Sequence, residues 1–448
     1  MRKSKSEFSF INLHYSFIHF FYWMCLVSCQ SYAAFYLLDS GMTNTQIGLL
    51  LGIGGFLAAL IQPFIASWAD KPKSPSVRVI TIVMSVLAVT GSLLLFVFRH
   101  RSFAGTYIVY LLSYLIIMME QSSVNALGTE SINNGKKISY GFGRGVGSLG
   151  YMIASFIVGH ATASAGAVSI PAALMITSAA TAVVTFFFPF VKRQQAAAGE
   201  DKSSAGTGSA AGEDQSSSGT GSAAGEDQSS AGAGSAAGED QSPAGAGSAA
   251  GNGKSAGSLL TFFVRYPQIT VAMLSLVLIF IGHTYINNFL LPIVETKGGD
   301  SADMGNLMSF AAFPELVIML CYGWLRRLMP DRFWFRISGI FFTLKVLCTM
   351  LAPSIGLMYP VQLFQPFGWG ILAVSTVYYI NDIVDDDDKI KGQAIFTATF
   401  TLGTVLGSLS SGVLLDHGGV TAMLTVGTVT SAIGAGLLLA SAKIKEHR

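Results

Sequence analysis

Long apolar segments constrain this chain more than any other feature of its sequence. The candidate segments lie near residues 11–38, 46–68, 77–98, 104–128, 143–163 and 170–190, and then near 266–293, 304–325, 333–352, 356–381, 393–415 and 420–441. A helix of roughly 20 apolar residues spans the hydrocarbon core of a bilayer. The sequence therefore predicts an all-α membrane protein with twelve transmembrane helices in two sets of six.

The charge content argues against a soluble enzyme and against a nucleic-acid-binding protein. Only 12% of the residues are charged, whereas a soluble domain usually carries about 25%. The net charge of +2 argues against a nucleic-acid-binding protein, which would carry a clustered basic face. The sequence contains no Walker pattern, and the apolar segments contain no metal cluster and no nucleophile with a base. We therefore expect no cofactor and no enzymatic activity.

A segment of different composition separates the two sets of apolar segments. In it the tripeptide Gly-Glu-Asp recurs every 13 residues from Gly199 onwards, among Gly, Ser and Ala. Such a sequence cannot build an apolar core, so it predicts a disordered linker. We therefore predict a first half at residues 1–191, a linker at 192–258 and a second half at 259–448.

The distribution of basic residues predicts the orientation in the membrane. With both termini and the linker in the cytoplasm, 23 of the 27 Lys and Arg residues lie on the cytoplasmic side and three on the other side. Cytoplasmic loops of membrane proteins carry such an excess of Lys and Arg. We therefore expect a multi-pass protein of the cell membrane with both termini inside. The remaining base, Lys345, lies in the middle of the ninth predicted helix.

Two sets of six helices joined by a cytoplasmic linker are the layout of the major facilitator superfamily, and local motifs resemble that superfamily too. Residues 66–71, Ala-Ser-Trp-Ala-Asp-Lys, resemble its loop motif. The resemblance implies that Asp70 and Lys71 steady one conformation. Residues 140–151, YGFGRGVGSLGY, resemble the fifth helix of a narrower branch. That branch holds the lactose permease and related oligosaccharide– and nucleoside–proton symporters.

The resemblance assigns roles to several polar residues of the apolar segments. Ionisable groups inside a bilayer are costly and mark functional sites. By resemblance, Arg144 binds substrate hydroxyls and Tyr151 stacks on a sugar ring. Glu315 accepts substrate hydrogen bonds and takes part in coupling. Lys345 replaces an Arg that lowers the proton affinity of the carrier carboxylate, and Asn125 replaces the Glu that pairs with Arg144.

The sequence also departs from this branch. Gln365 stands in place of a His, Gly368 in place of the proton-carrying Glu, and amides replace the aspartates of the seventh helix. The remaining candidates for proton coupling are Glu120, His283, Glu315 and Lys345. Neutral amides and aromatic rings suit a polyhydroxylated or heterocyclic solute. The predicted substrate-binding residues are Asn125, Arg144, Tyr151, Tyr285, Asn288, Glu315 and Gln365.

These features predict a secondary active transporter that moves a small polar solute by alternating access with proton coupling. The expected substrate is a sugar, an oligosaccharide or a nucleoside, and the expected state is a monomer in the lipid bilayer. Two alternatives remain open. The missing coupling residues favour a non-transporting membrane sensor or scaffold. The low charge of the site and the 31 Phe residues favour an efflux carrier for drugs or aromatic compounds.

Overall fold

The computed structural model describes residues 10–69, 71, 74–136, 138–190 and 261–443, apart from the side chains of Leu320 and Ile390. All regular secondary structure in this part of the chain is helical. The predicted linker and Asp70 of the predicted loop motif lie outside the described residues. The division of the chain into two halves and a linker therefore stays a prediction.

The first set of helices fills residues 10–187. Its members are α1 Phe10–Gln30, α2 Ala33–Asp39, α3 Asn44–Ala69, α4 Val77–Phe98, α5 Phe103–Asn133, α6 Tyr140–Ala165 and α7 Ser169–Phe187. The first apolar segment thus forms two helices, α1 and α2, with a short break between them. Serine caps precede three of the longer helices: Ser76, Ser102 and Ser139 each accept a hydrogen bond from a backbone N–H of the first turn.

The second set of helices fills residues 267–440. Its members are α8 Pro267–Asn288, α9 Leu290–Glu295, α10 Ser301–Leu328, α11 Asp331–Leu351, α12 Ile355–Gln362, α13 Ile371–Ile383 and α14 Lys389–Ala440. A π-helical turn, Pro366–Gly370, precedes α13. Helix α10 begins with a capping box formed by Asp300 and Asp303, and it bends by 60° between Met319 and Cys321.

The described helices are long and apolar enough to cross a membrane several times. By length and composition, eight described segments qualify, or nine if the bent α10 counts as one span. Two of them, Tyr140–Phe187 with 48 residues and Asp386–Lys443 with 58 residues, are more than twice as long as one crossing requires. Each contains a glycine with positive φ, Gly166 at 72° and Gly419 at 69°, which turns the chain. The all-α membrane fold is confirmed, and the count of twelve helices stays a prediction.

Two seams join the first set of helices to the second. In the first seam, α3 packs on α14 with backbone against backbone. A Cβ atom on Gly48 would lie 2.3 Å from the carbonyl oxygen of Ser408, and one on Gly412 would lie 2.1 Å from that of Asn44. Only glycine permits such a close approach of two helices.

The same seam contains a carboxylate that caps a helix of the other set. Asp416 of α14 accepts hydrogen bonds from the backbone N–H groups of Asn44, at 3.1 Å, and Thr45, at 2.7 Å. It also accepts from the side chains of both residues, at 2.8 Å and 2.6 Å. A negative charge at the beginning of α3 is favourable because the first N–H groups of a helix lack partners within it.

In the second seam, α6 packs on α10. A Cβ atom on Gly159 would lie 2.7 Å from the carbonyl oxygen of Ser301 and 2.9 Å from the Cα atom of Gly305. Ser301 donates a hydrogen bond to the Gly159 carbonyl, and Ser309 donates to the Met152 carbonyl at 2.8 Å. We call the end of the molecule that carries these two seams the sealed end.

Candidate functional site

A cavity of about 70 Å³ lies between the two sets of helices. Helix α10 reaches it at Met308, one turn beyond the seam residue Gly305, so the cavity lies next to the sealed end. Its polar and aromatic lining residues are Tyr151, His283, Asn287, Glu315, Lys345, Gln362, Gln365 and Trp369. Most of this wall belongs to the second set of helices, whereas Tyr151 belongs to the first.

Two buried charges in the cavity wall are connected by an amide. The Lys345 ammonium donates a hydrogen bond to Oε1 of Gln365 at 2.5 Å, and Nε2 of Gln365 donates to the Glu315 carboxylate at 3.2 Å. Lys345 is 5% exposed and Glu315 is 1% exposed. An amide offers an acceptor and a donor side by side, so it can satisfy an ammonium and a carboxylate at the same time. Buried charges are tolerated only when they are paired or hydrogen-bonded in this way.

The π-helical turn places an aromatic residue next to this chain of hydrogen bonds. Trp369 stacks on His283, with ring centres 6.0 Å apart and planes 11° from parallel. Nε2 of His283 lies 3.0 Å from the Asn287 amide nitrogen. Nδ1 is buried and has no partner among the described residues. The cavity wall therefore combines a planar aromatic surface with a residue whose second ring nitrogen has no partner there.

Arg144 is buried in the first set of helices and does not line this cavity. Three glycines of α6 let α1 approach closely; a Cβ atom on Gly147 would lie 2.5 Å from the Trp23 ring. The Arg144 guanidinium carbon then lies 3.5 Å from the centre of that ring, in a cation–π contact. Asn125 supplies no negative charge here, and the face of Trp23 provides part of the stabilisation that a carboxylate would give.

Tyr151 connects the cavity to the ring that Arg144 covers. Its ring lines the cavity, and its centre lies 6.4 Å from that of Trp23. The structure thus brings five predicted residues, Tyr151, His283, Glu315, Lys345 and Gln365, around one cavity. Arg144 and Asn125 are absent from its lining.

The structure places other predicted residues elsewhere. Tyr285 bonds to Ser410 at 2.9 Å and Asn288 donates to Ser408 at 2.8 Å, so both side chains hold α8 against α14. Glu120 is buried between α4 and α5, where its carboxylate accepts a hydrogen bond from Ser85. None of these three residues lines the cavity.

The remaining predicted residues belong to the loop motif after α3. Lys71 is exposed, and its carbonyl oxygen accepts hydrogen bonds from the backbone N–H of Ser74 at 3.1 Å and from the Ser74 hydroxyl at 2.6 Å. Asp70 lies outside the described residues. The proposed role of this motif in steadying one conformation stays a prediction.

Comparisons with known proteins agree with this architecture. The sequence matches the MFS_1 like family over residues 12–425. The chain belongs to this family of the major facilitator superfamily. No curated protein matches the sequence significantly.

Three solved structures of transporters have a similar fold. The nucleoside transporter NupG is 15% identical, with a TM-score of 0.69 over 98% of this chain and 100% of that chain. A variant of NupG is 14% identical, with a TM-score of 0.69 over 97% of this chain and 99% of that chain. A bacterial homologue of the human lysosomal transporter Spinster, in an inward-facing and occupied conformation, is 12% identical, with a TM-score of 0.62 over 97% of this chain and 96% of that chain.

Membership of the MFS_1 like family identifies the chain as a transporter rather than an enzyme, embedded in a membrane and acting on a small molecule. For such a transporter, sequence reasoning missed two tryptophans near the site. Trp369 lies four residues after Gln365, and Trp23 lies four residues after His19. A spacing of four residues places each tryptophan on the same helix face as a polar residue of the apolar segments. This spacing is the sequence signal that could have identified the two tryptophans.

Proposed function

We propose that this chain is a secondary transporter that moves a nucleoside or a sugar by alternating access, and that the cavity between the two sets of helices is its substrate site. The observation that carries the proposal is the buried chain Lys345–Gln365–Glu315 in the wall of that cavity. The likeness to the nucleoside transporter NupG supports a nucleoside as the first choice.

The chemistry of the wall also favours a nucleoside. A flat nucleobase can stack on the Trp369–His283 pair. The edge of a nucleobase such as uracil presents N–H beside C=O, as the amide of Gln365 does, so it suits the same ammonium and carboxylate. A sugar offers hydroxyl groups for these contacts and only the C–H face of a puckered ring for the stack.

The size of the cavity implies that it widens during transport. A volume of about 70 Å³ is far below the roughly 300–1,000 Å³ of pockets that hold drug-sized ligands. A nucleoside therefore requires the two sets of helices to move apart around the site. By the distribution of Lys and Arg, the sealed end faces the outside and both termini lie in the cytoplasm. We propose that the described conformation is closed to the outside of the cell membrane.

Glu315 is our candidate for the coupled proton. It is the carboxylate of the described cavity wall, and it is linked through Gln365 to the charge of Lys345. Protonation of Glu315 removes a negative charge from the cavity wall. Proton binding and substrate binding are therefore linked at the same residue. Glu120 lies in the packing between α4 and α5 and is our matched control.

The test uses the purified full-length chain in proteoliposomes. We expect saturable uptake of radiolabelled uridine that an inward proton gradient accelerates. Glu315→Gln should abolish gradient-driven accumulation but keep exchange of uridine across the membrane, because the binding wall remains. Glu120→Gln should keep both. Gradient-driven accumulation by the Glu315→Gln variant would remove Glu315 from the coupling mechanism.

The same assay separates the alternative functions. Binding of uridine or a sugar without any flux would identify a non-transporting sensor. Outward flux of aromatic compounds without nucleoside or sugar uptake would identify an efflux carrier. Either result would overturn the proposed substrate class.

A further inference from the structure

The first apolar segment is interrupted although its sequence contains no helix breaker. Helix α1 ends at Gln30 and α2 begins at Ala33, with Ser31 and Tyr32 between them. Residues 10–40 contain no Pro and no Gly. Sharp breaks in helices usually occur at Pro or Gly, or where a side chain inserts. The contacts that Ser31 and Tyr32 make with the rest of the molecule therefore account for this interruption.

Tyr32 reaches the second seam of the sealed end. It is 0% exposed, and its hydroxyl donates a hydrogen bond to the Ser155 carbonyl of α6 at 2.6 Å. A Cβ atom on Gly159 would lie 2.9 Å from this hydroxyl, and one on Gly305 would lie 3.0 Å from it. The hydroxyl therefore lies where α6 of the first set crosses α10 of the second.

Ser31 reaches the wall of the cavity. Its hydroxyl lies 3.5 Å from the Tyr151 hydroxyl, and Tyr151 lines the cavity. Tyr151 and Ser155 are four residues apart, so they lie on one face of α6. Two consecutive residues of the interruption thus contact the cavity wall and the closing seam. The peptide bond between them is planar and stiff, so a shift of Ser31 displaces Tyr32.

We propose that Ser31 and Tyr32 link occupancy of the cavity to the sealed end, and that Tyr32 is a positioning residue for transport. The inference rests on the proposed function. A solute that enters the cavity of about 70 Å³ displaces the Tyr151 ring, and Ser31 passes this shift to Tyr32. The Tyr32 hydroxyl then no longer fits between Gly159 and Gly305, and the second seam loosens.

The test measures how uridine changes the ratio of molecules with an open sealed end to molecules with a closed one. The purified full-length chain in lipid nanodiscs carries spin labels at Thr43→Cys and His417→Cys and lacks the exposed Cys321. These labels lie at the first seam, whereas Tyr32 lies at the second, so they report opening of the whole end. In the wild-type chain saturating uridine should raise the ratio about fivefold, at the lower end of usual couplings between sites.

Two variants interrupt the link at its two ends. Tyr32→Phe keeps the ring and removes only the hydroxyl at the seam, so the response to uridine should fall from about fivefold to less than about twofold. Ser31→Ala removes the contact with Tyr151 and should give the same loss. The double variant should respond like either single variant, because two residues that act as one unit are not additive.

Tyr36→Phe is the matched control. Tyr36 lies on α2, is also 0% exposed and donates a hydrogen bond to the Leu95 carbonyl at 2.9 Å, within the first set of helices. This variant should keep the wild-type response. Gly412→Ala is a second control, because it acts on the first seam. It should raise the ratio of open to closed molecules by the same factor with and without uridine.

A structural role of Tyr32 predicts a different result. Tyr32→Phe would then change the ratio equally with and without uridine, and the response would stay at about fivefold. That result, or an equal loss of response in Tyr36→Phe, would overturn the inference alone. Uridine binding by the wild-type chain, measured by calorimetry, without any change in label distance would do the same. A wild-type chain that does not bind uridine would overturn the proposed nucleoside site and this inference together.

Discussion

The sealed end and the wall of the central cavity are held together by different kinds of contact. At the sealed end, backbones touch through Gly48, Gly412, Gly159 and Gly305, and one carboxylate caps the beginning of α3. In the cavity, long side chains meet through an amide, as in Lys345–Gln365–Glu315. The sealed end therefore rests mainly on close packing of backbones. In the proposed substrate site the contacts are hydrogen bonds, which a polar solute could replace.

The largest effect is expected in the cavity, at Gln365. Gln365→Leu removes the amide that bonds to both the Lys345 ammonium and the Glu315 carboxylate. Weakening the hydrogen bonding of buried charges should lower the free energy of unfolding by about 3 kcal/mol. Transport should be lost. Thermal unfolding and uridine uptake are the measurements.

The control for this change is a second amide of the same cavity wall. Gln362 donates to the Met358 carbonyl of its own helix at 3.4 Å. Gln362→Leu should therefore have a much smaller effect on the melting temperature. Equal melting temperatures for the two variants would show that the amide of Gln365 does not stabilise the buried charges.

The next effect is expected at the backbone seam. In Gly412→Ala the new methyl group overlaps the Asn44 carbonyl, so α3 and α14 must separate. Such overpacking typically costs about 2 kcal/mol and should favour the state in which the sealed end is open. Spin labels at Thr43→Cys and His417→Cys, in a chain without the exposed Cys321, should report a longer distance between the helices.

Gly436 provides the control on the same helix. No atom lies within 4 Å of a Cβ atom placed there, so Gly436→Ala should leave the label distance unchanged. A Gly412→Ala variant with the wild-type distance distribution would contradict the view that glycine contacts keep this end closed.

The smallest effect is expected at Asp416. Burial alone raises the pKa of this carboxyl, but its hydrogen bonds with Thr45 and Asn44 outweigh burial, and the pKa lies below its usual value of 3.8. At pH values above 3.8 the ionised carboxylate stabilises the closed seam. This stabilisation is lost only when the pH falls through the lowered pKa of the folded state. The label distance should therefore be constant from about pH 5 to pH 8.

Asp416→Asn tests the charge directly. Its amide turns one acceptor into a donor that faces the N–H groups of α3, which should weaken the closed seam by about 1 kcal/mol. The same labels should show a modest increase of the open population at neutral pH. A label distance that shifts between pH 5 and pH 8 in the wild-type chain would assign the closure of this end to another titrating group.

Much of the fold could be predicted because the bilayer constrains it strongly. Runs of about 20 apolar residues must become helices, since lipid offers no partner for a free backbone group. The five predicted residues that line the cavity were found as ionisable, amide or aromatic residues of apolar segments. The resemblance to the sugar and nucleoside symporters supplied their roles, which stay predictions.

The rest of the site depends on how each helix is rotated about its axis. Tyr285 and His283 are two residues apart on α8, yet one bonds to α14 and the other lines the cavity. Trp23 meets Arg144 only because Gly143 and Gly147 let α1 lie against α6. Such contacts join residues more than a hundred positions apart, and a single sequence does not reveal which helix faces which neighbour.

The sequence alone thus determined an apolar, helical, multi-pass transporter and its candidate charges, because hydrophobicity and charge are local properties of each segment. Only the tertiary structure decided which of those charges share a cavity and where the two sets of helices close. Glu120 and Glu315 are both carboxylates in apolar segments, but Glu120 packs within the first set of helices, whereas Glu315 lines the cavity between the two sets. Helix packing makes that difference, since it decides which buried group faces the cavity.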